Sequence, residues 1–423
     1  MSNLRVLIVG ASIAGPTAAY WFAKTGATVT VIERFPELRT NGHNVDIRNV
    51  GVAVMRKMPG MEAAVRAKKI SMEGICFVRG NGGKIGTIQS TGDPDQQSLV
   101  SEYEIYRGDL ARILYDLTKE DDRITYVFGE QVTSIRQYEN NDEHAPVHVE
   151  FANGHPAAVF DLVVACDGAN SRTRALGLGC GVRDHVQSTN CFASYFSIQG
   201  HLNQSETIAQ SYSAVGGRFV GLGPGSSGTT RGALLSFHPQ DGSDVAKSFR
   251  EVQDQGVDAV KEFLAKHFGG AGWRCDEIVK GMLEADDFYA SEIVQVRTPS
   301  LHRGHFALVG DAGYGSGATG VGTSLAMAGA YVLAGEISRH AGDLPSGLRA
   351  YEQRMRPIVE DLQKISPLVP AFLAPQTAWG LWVRNLVLAF VCWSGTLEFA
   401  QRHLAGAFAN GDRHTLPNYG WAD

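Results

Sequence analysis

The stretch VLIVGASIAGPTAAYWFAKTGATVTVIER, Val6 to Arg34, decides the fold. Val6, Leu7, Ile8 and Val9 form the continuous apolar run of a parallel strand covered on both faces. Gly10, Ser12 and Gly15 then make a turn in the pattern G-x-G-x-x-G, with Ser12 at the middle glycine. The glycines of such a turn allow close backbone approach to a pyrophosphate and close packing of the following helix. Ser12 keeps a backbone N–H and adds a hydroxyl donor. Pro16 falls in the first helical turn, where its missing N–H costs little. Ala14, Ala18 and Ala19 bring that helix near the sheet, and ATVTVIER supplies a second strand ending in Glu33. Glu33 follows Gly15 by 18 residues, about the separation of a carboxylate that accepts both hydroxyls of an adenosine ribose. Strand, turn, helix, strand and acid in register predict a Rossmann-like α/β unit for a dinucleotide.

Two further motifs narrow the dinucleotide. FDLVVACDGANSRTR, Phe160 to Arg174, is a second buried strand running into Asp167 and Gly168. HFALVGDAGYGSGATGVGTSLAMAGAYVLAGEI, His305 to Ile337, is a third, ending at Gly310 and Asp311. A glycine-rich loop and a long helix entered through Gly320, Gly322, Thr323 and Ser324 follow. A second helix aimed at the cofactor suits a flavin, whose reduced ring carries negative charge near N1 and O2. Asp311 at the strand end is placed to bond the ribityl chain.

With these motifs the chain resembles the group A FAD-dependent monooxygenases, which include the aromatic hydroxylases and the tetracycline-modifying enzymes. The turn with Glu33 and Arg34 looks like their first FAD motif. DGANSRTR matches D-G-x-x-S-x-x-R at Asp167, Gly168, Ser171 and Arg174, and GDAGYG resembles the G-D motif. YRGDLARIL is similar to the segment carrying an arginine beside the flavin, here Arg107. LRTNGHNVDIR resembles the stretch in which an aspartate touches the flavin and an arginine contacts the nicotinamide cofactor, which implies Asp46 and Arg39. Many members have a proline after the G-D motif; this chain has Gly313, Tyr314 and no proline between Asp311 and Gly322. The resemblance implies FAD, NAD(P)H and O2 as cofactor and co-substrates, and oxygen transfer through a C4a-hydroperoxyflavin. An FAD oxidase or dehydrogenase and a redox-silent ligand-binding relative are the alternatives. The W-x-W-x-I-P of a flavin-dependent halogenase is missing.

From this follows the expected organisation. Residues 1–75, 100–180 and 290–345 would bind FAD, 76–99 and 181–289 the substrate, and 346–423 would form a helical C-terminal region. Short alternating strands between Gln187 and Pro239 predict an antiparallel sheet, with Phe192, Tyr195, Phe196, Tyr212, Phe219 and Phe237 as an apolar wall for an aromatic substrate. Tyr195, through its hydroxyl, and Arg48, beside Asp46, are the candidate catalytic residues. Thr377 to Leu397 is apolar apart from Arg384 and Asn385. It predicts a helix over the substrate domain or in a dimer contact, with peripheral membrane contact as the other reading.

Composition sets outer limits. Of 423 residues 44% are hydrophobic and 19% charged, and the formal net charge is −6 without a basic run, which argues against nucleic acid. No secretory h-region precedes the first strand. The six cysteines are scattered, as expected of reduced thiols in a cytoplasmic chain. His302 and His305 read as structural, and no metal site is expected.

Overall fold

Four sheets organise the chain in a computed structural model that describes residues 4–39, 42, 44–70, 72–90, 102–137, 146–203, 205–225, 228–239, 245–364, 372–395 and 414–421. The first has six strands in the order β17-β18-β11-β1-β2-β7. They are β1 (Arg5–Val9), β2 (Thr28–Glu33), β7 (Ile124–Phe128), β11 (Leu162–Ala165), β17 (His302–Arg303) and β18 (Phe306–Leu308). All pairs are parallel except β17 with β18. β1 is central, which explains its unbroken apolar run: Val6 and Ile8 face one core cluster while Leu7 and Val9 face another. The first cluster contains α1 (Ala14–Lys24) and α10 (Gly322–Arg339), and the second holds Val147, Val149 and Phe160. Those residues belong to a three-stranded sheet of β8 (Val132–Arg136), β9 (Val147–Phe151) and β10 (Ala158–Phe160).

The remaining helices of this half are α2 (Val50–Met55), α3 (Met61–Lys68), α4 (Arg107–Asp116), α5 (Arg172–Leu178), the short α9 (Asp311–Tyr314) and α11 (Leu344–Leu362). A two-stranded ribbon, β3 (Asn44–Asp46) against β6 (Glu104–Tyr106), leads into α4.

The second half is a seven-stranded sheet in the order β16-β12-β15-β14-β13-β4-β5. Its strands are β4 (Gly74–Val78), β5 (Lys84–Gln89), β12 (Val186–Gln199), β13 (Ile208–Ala214), β14 (Arg218–Pro224), β15 (Thr229–Phe237) and β16 (Tyr289–Val296). All its pairs are antiparallel except β13 with β4. One face packs on α6 (Val245–Gln253), α7 (Val257–Phe268) and α8 (Cys275–Glu284). β16 pairs with β12 along its length, so this sheet extends to Val296 rather than ending at residue 289. The last described helix, α12 (Ala378–Ser394), lies over β5 and turns inward Leu388 and Arg384. Its other face leaves Trp379, Trp382, Leu386, Val387, Phe390 and Trp393 exposed. No described helix is long and apolar enough to cross a membrane.

Candidate functional site

The turn after β1 is held by close packing. Gly10 has φ +110°, and a Cβ there would stand 2.6 Å from the Cys166 carbonyl oxygen; a Cβ on Gly15 would stand 1.8 Å from the carbonyl oxygen of Gly10. Gly15 therefore serves the turn itself, while Gly10, Ala11 and Ser12 line a cavity. The Glu33 carboxylate, at the end of β2, accepts N–H bonds from Ala11 (2.9 Å) and Phe35 (3.1 Å). A carboxylate has further lone pairs, and those of Glu33 border the cavity.

Four arginines, Arg34, Arg39, Arg107 and Arg172, line the same cavity. The guanidinium groups of Arg34 and Arg39 each lie 4.8 Å from the centre of the Phe35 ring, and Arg107 donates to Ser12 Oγ at 3.0 Å. Burial pushes the pKa of Arg39 down, with Arg107 and Arg34 adding repulsion. An anion in the cavity relieves that repulsion, as a pyrophosphate would. Arg39 also feels Tyr289 of β16, so it stands where the nucleotide cavity meets the seven-stranded sheet.

Asp167 lines the cavity too, but its oxygens are taken up by its own loop. Ser171 Oγ donates to one, and Thr173 N (3.2 Å) and Oγ1 (2.9 Å) to the other. Burial raises its pKa, opposed by these bonds. Arg174 is fully buried and donates to the carbonyls of Ala169 and Ala312, both at 2.9 Å, stitching this loop to α9. Asp311 opens α9 with its carboxylate reached by solvent yet surrounded by protein; burial raises its pKa and Arg107 opposes the rise. A Cβ on Gly322 would lie 3.5 Å from Asp311 Oδ1, so α10 starts directly over that carboxylate. Thr323 is in the first turn of α10, and Gly320 lies exposed in the preceding loop.

Beside α10, Arg48 forms an ion pair with Asp46 at 2.8 Å, and its backbone N–H donates to Ser324 Oγ at 2.8 Å. Asp46 faces Glu104 across the β3–β6 ribbon. Burial, then the nearby Asp46 charge, pushes the Glu104 carboxyl up to about 7. Glu104 also acts on Tyr195 of β12.

Strand alternation corrects the expected aromatic wall. Phe192, Phe196 and Tyr212 point to the helices α6 to α8 and are core residues, not substrate contacts. Tyr195 is on the opposite face of β12, and Phe219 and Phe237 pack there with Ala318, Leu373 and Ala374. That face looks toward the nucleotide half: Arg231 of β15 donates to the Gly42 carbonyl at 3.1 Å, and Tyr106 to that of Pro224 at 3.3 Å.

Several cavity residues escaped the sequence reading, among them Phe35, Glu130 and Arg172. Burial alone would raise the Glu130 pKa, but backbone N–H groups of Gln131, His155, Asn153 and Ala152 hold it low. Phe35 directly follows the acid and arginine of the first motif, the one signal that could have found it. Glu130 follows β7 with no motif around it.

Known proteins share this architecture. The family described as FAD binding domain matches residues 3–366. The FAD-dependent monooxygenase asL4 of Sarocladium schorii is 33% identical over 414 residues, covering 92% of this chain and 93% of that protein. Monooxygenase CTB7 of Cercospora beticola is 31% identical over 402 residues, 93% of each chain. Among solved structures, tetracycline destructase Tet(55) matches with TM-score 0.73 and 29% identity, over 92% of this chain and 97% of that one. Tetracycline destructase Tet(51) matches with TM-score 0.76 and 25% identity, over 99% and 100%.

Proposed function

The chain belongs to the FAD binding domain family and is an FAD-dependent monooxygenase of group A; from that premise we propose that it uses NAD(P)H and O2 to hydroxylate a hydrophobic aromatic or polyketide-like small molecule. When bound, FAD supplies acceptance of a hydride and, once reduced, activation of O2 for transfer of one oxygen atom. The observation that carries the reading is the cavity lined by Glu33 and four arginines, one of which, Arg107, acts on Asp311 under the start of α10.

In this reading Glu33 accepts the adenosine ribose hydroxyls, and Gly10, Ser12, Arg34 and Arg107 hold the pyrophosphate. Asp167 shapes the loop beside it, and Asp311 accepts a ribityl hydroxyl. N–H groups at Gly322 and Thr323 stabilise negative charge on the reduced ring. Arg39, at the junction of the two halves, binds the phosphates of NAD(P)H. Tyr195 orients a phenol or carbonyl of the substrate, and Asp46 is fixed by Arg48 beside the ring. The exposed apolar face of α12 supports a peripheral contact with a lipid surface or a second copy of the chain.

The test is purification and turnover. A yellow protein with one FAD per chain is expected, oxidising NADPH or NADH quickly only when an aromatic compound is added and carrying label from 18O2 into product. Substrate oxidation that proceeds without any nicotinamide cofactor would make the protein an oxidase or dehydrogenase instead.

A further inference from the structure

One row of side chains crosses the flavin-facing side of the seven-stranded sheet. The pairing registers bring Tyr289, Tyr195, Ala233, Gly221, Ser211 and Phe77 into line on six neighbouring strands. The aromatic residues stand at the two ends, and the three central positions carry almost no side chain. From Ala233 to Ser211 is two strand spacings, about 10 Å.

Among the described residues nothing requires a glycine at the centre. Gly221 lies inside β14, where glycine weakens a strand. Its backbone is not in the left-handed region, and among the described residues a Cβ there would meet Ala233 at 3.6 Å and Phe219 at 3.8 Å, which is ordinary contact. Gly223, two residues on and on the same face, has no atom of the described residues within 4 Å of where its Cβ would be. Gly232, by contrast, points to the helix side, and a Cβ there would lie 2.4 Å from the Phe196 ring. Packing therefore accounts for Gly232 and leaves Gly221 and Gly223 unexplained.

A polar atom points into the same recess. Ser211 is 3% exposed, and its Oγ is buried without a hydrogen-bond partner among the described residues. The next residue on that face of β13, Ser213, is satisfied by the Leu373 carbonyl at 2.7 Å. A buried hydroxyl without a partner costs free energy unless a ligand supplies one.

We propose that Ala233, Gly221, Gly223 and Ser211 form the floor of the substrate site, built for a flat fused-ring compound whose oxygen substituent hydrogen-bonds Ser211. The proposal rests on the monooxygenase reading for its location, and it adds which residues set ring number. Tyr195 and Phe77 bound the trough at its ends, and α12 with Phe372 closes the Phe77 end.

Equilibrium binding to the FAD-loaded protein tests this without turnover. Alizarin serves as a planar three-ring phenol and phenol itself as a single ring, titrated calorimetrically. Gly221→Leu should weaken alizarin by about tenfold or more and change phenol less than about twofold. Ser211→Ala should weaken alizarin by about fivefold while the unfolding midpoint stays level or rises, because a buried orphan is removed. Absence of alizarin binding to the parent protein would overturn the proposal. So would an unchanged alizarin Kd in a Gly221→Leu protein that keeps its FAD and circular dichroism. Gly221-dependent binding in a protein that oxidises no NAD(P)H would sink the proposed reaction and leave the trough standing.

Discussion

Glu33 holds its own turn together while keeping lone pairs toward the cavity, so its removal acts on FAD in two ways. Glu33→Ala should weaken FAD by about 2–3 kcal/mol, roughly 30- to 150-fold in Kd, read by titrating apoprotein with FAD and following flavin fluorescence. Full FAD occupancy after dialysis would show that the carboxylate does not hold the ribose. Glu104 makes a pH prediction. Burial and Asp46 raise its pKa to about 7, so between the ordinary carboxylate range and that value the folded chain keeps a proton the unfolded chain has released. Its contribution to stability is thus present at low pH and lost as the pH climbs through that window. Gln at this position keeps an acceptor for the Asn44 amide, 2.9 Å away, and cannot ionise. Glu104→Gln should gain stability relative to the parent between pH 5 and pH 8 in urea titrations. Parallel pH profiles would show that Glu104 ionises normally.

At the scale of elements, α10 is shaped by what passes beneath it. Tyr314 is buried, its hydroxyl lies 3.2 Å from that of Tyr351, and a Cβ on Gly329 would stand 1.7 Å from the Tyr314 hydroxyl. The residue that departs from the family pattern is therefore directed into the core. Gly329→Ala should cost about 1–3 kcal/mol, and adding Tyr314→Phe should recover part of it; strictly additive losses in the double variant would refute the contact. This pairing could not be read from sequence, because nothing in GDAGYG says which way Tyr314 points. The β1–α1–β2 unit was legible because three constraints, an apolar run, glycine spacing and a terminal acid, fall within 29 residues. The face of β12 was not. Phe192 and Phe196 alternate with Tyr195 correctly, yet only the landing side of α6 to α8 decides which set is core.

For the whole molecule, the joins between distant segments were the least legible, since no local pattern reports them. β16 returns to the seven-stranded sheet from beyond the expected boundary, and residues 414–421 dock on the far side of the nucleotide half. There the Pro417 carbonyl accepts from Tyr331 at 2.7 Å, and Tyr419 donates to Glu336 at 2.8 Å. Trp421 packs 4.5 Å from Trp21 and 5.0 Å from Tyr331. Glu336 is 2% exposed and also pairs with Arg354 at 2.8 Å. The segment thus covers aromatic surface on α1 and α10 and helps satisfy a buried carboxylate. Tyr419→Phe removes one bond to that charge and should cost about 1.5–3 kcal/mol. Deleting residues 414–423 should cost more, because Trp21 and Tyr331 lose their cover as well, at about 0.5–1.5 kcal/mol for each aromatic pair beyond the area exposed. Thermal unfolding of both variants with and without added FAD measures this. The expected order is parent, Tyr419→Phe, then the deletion, with red-shifted tryptophan emission only in the deletion. A deletion variant as stable as the parent would show that the docked segment does not hold α10 in place.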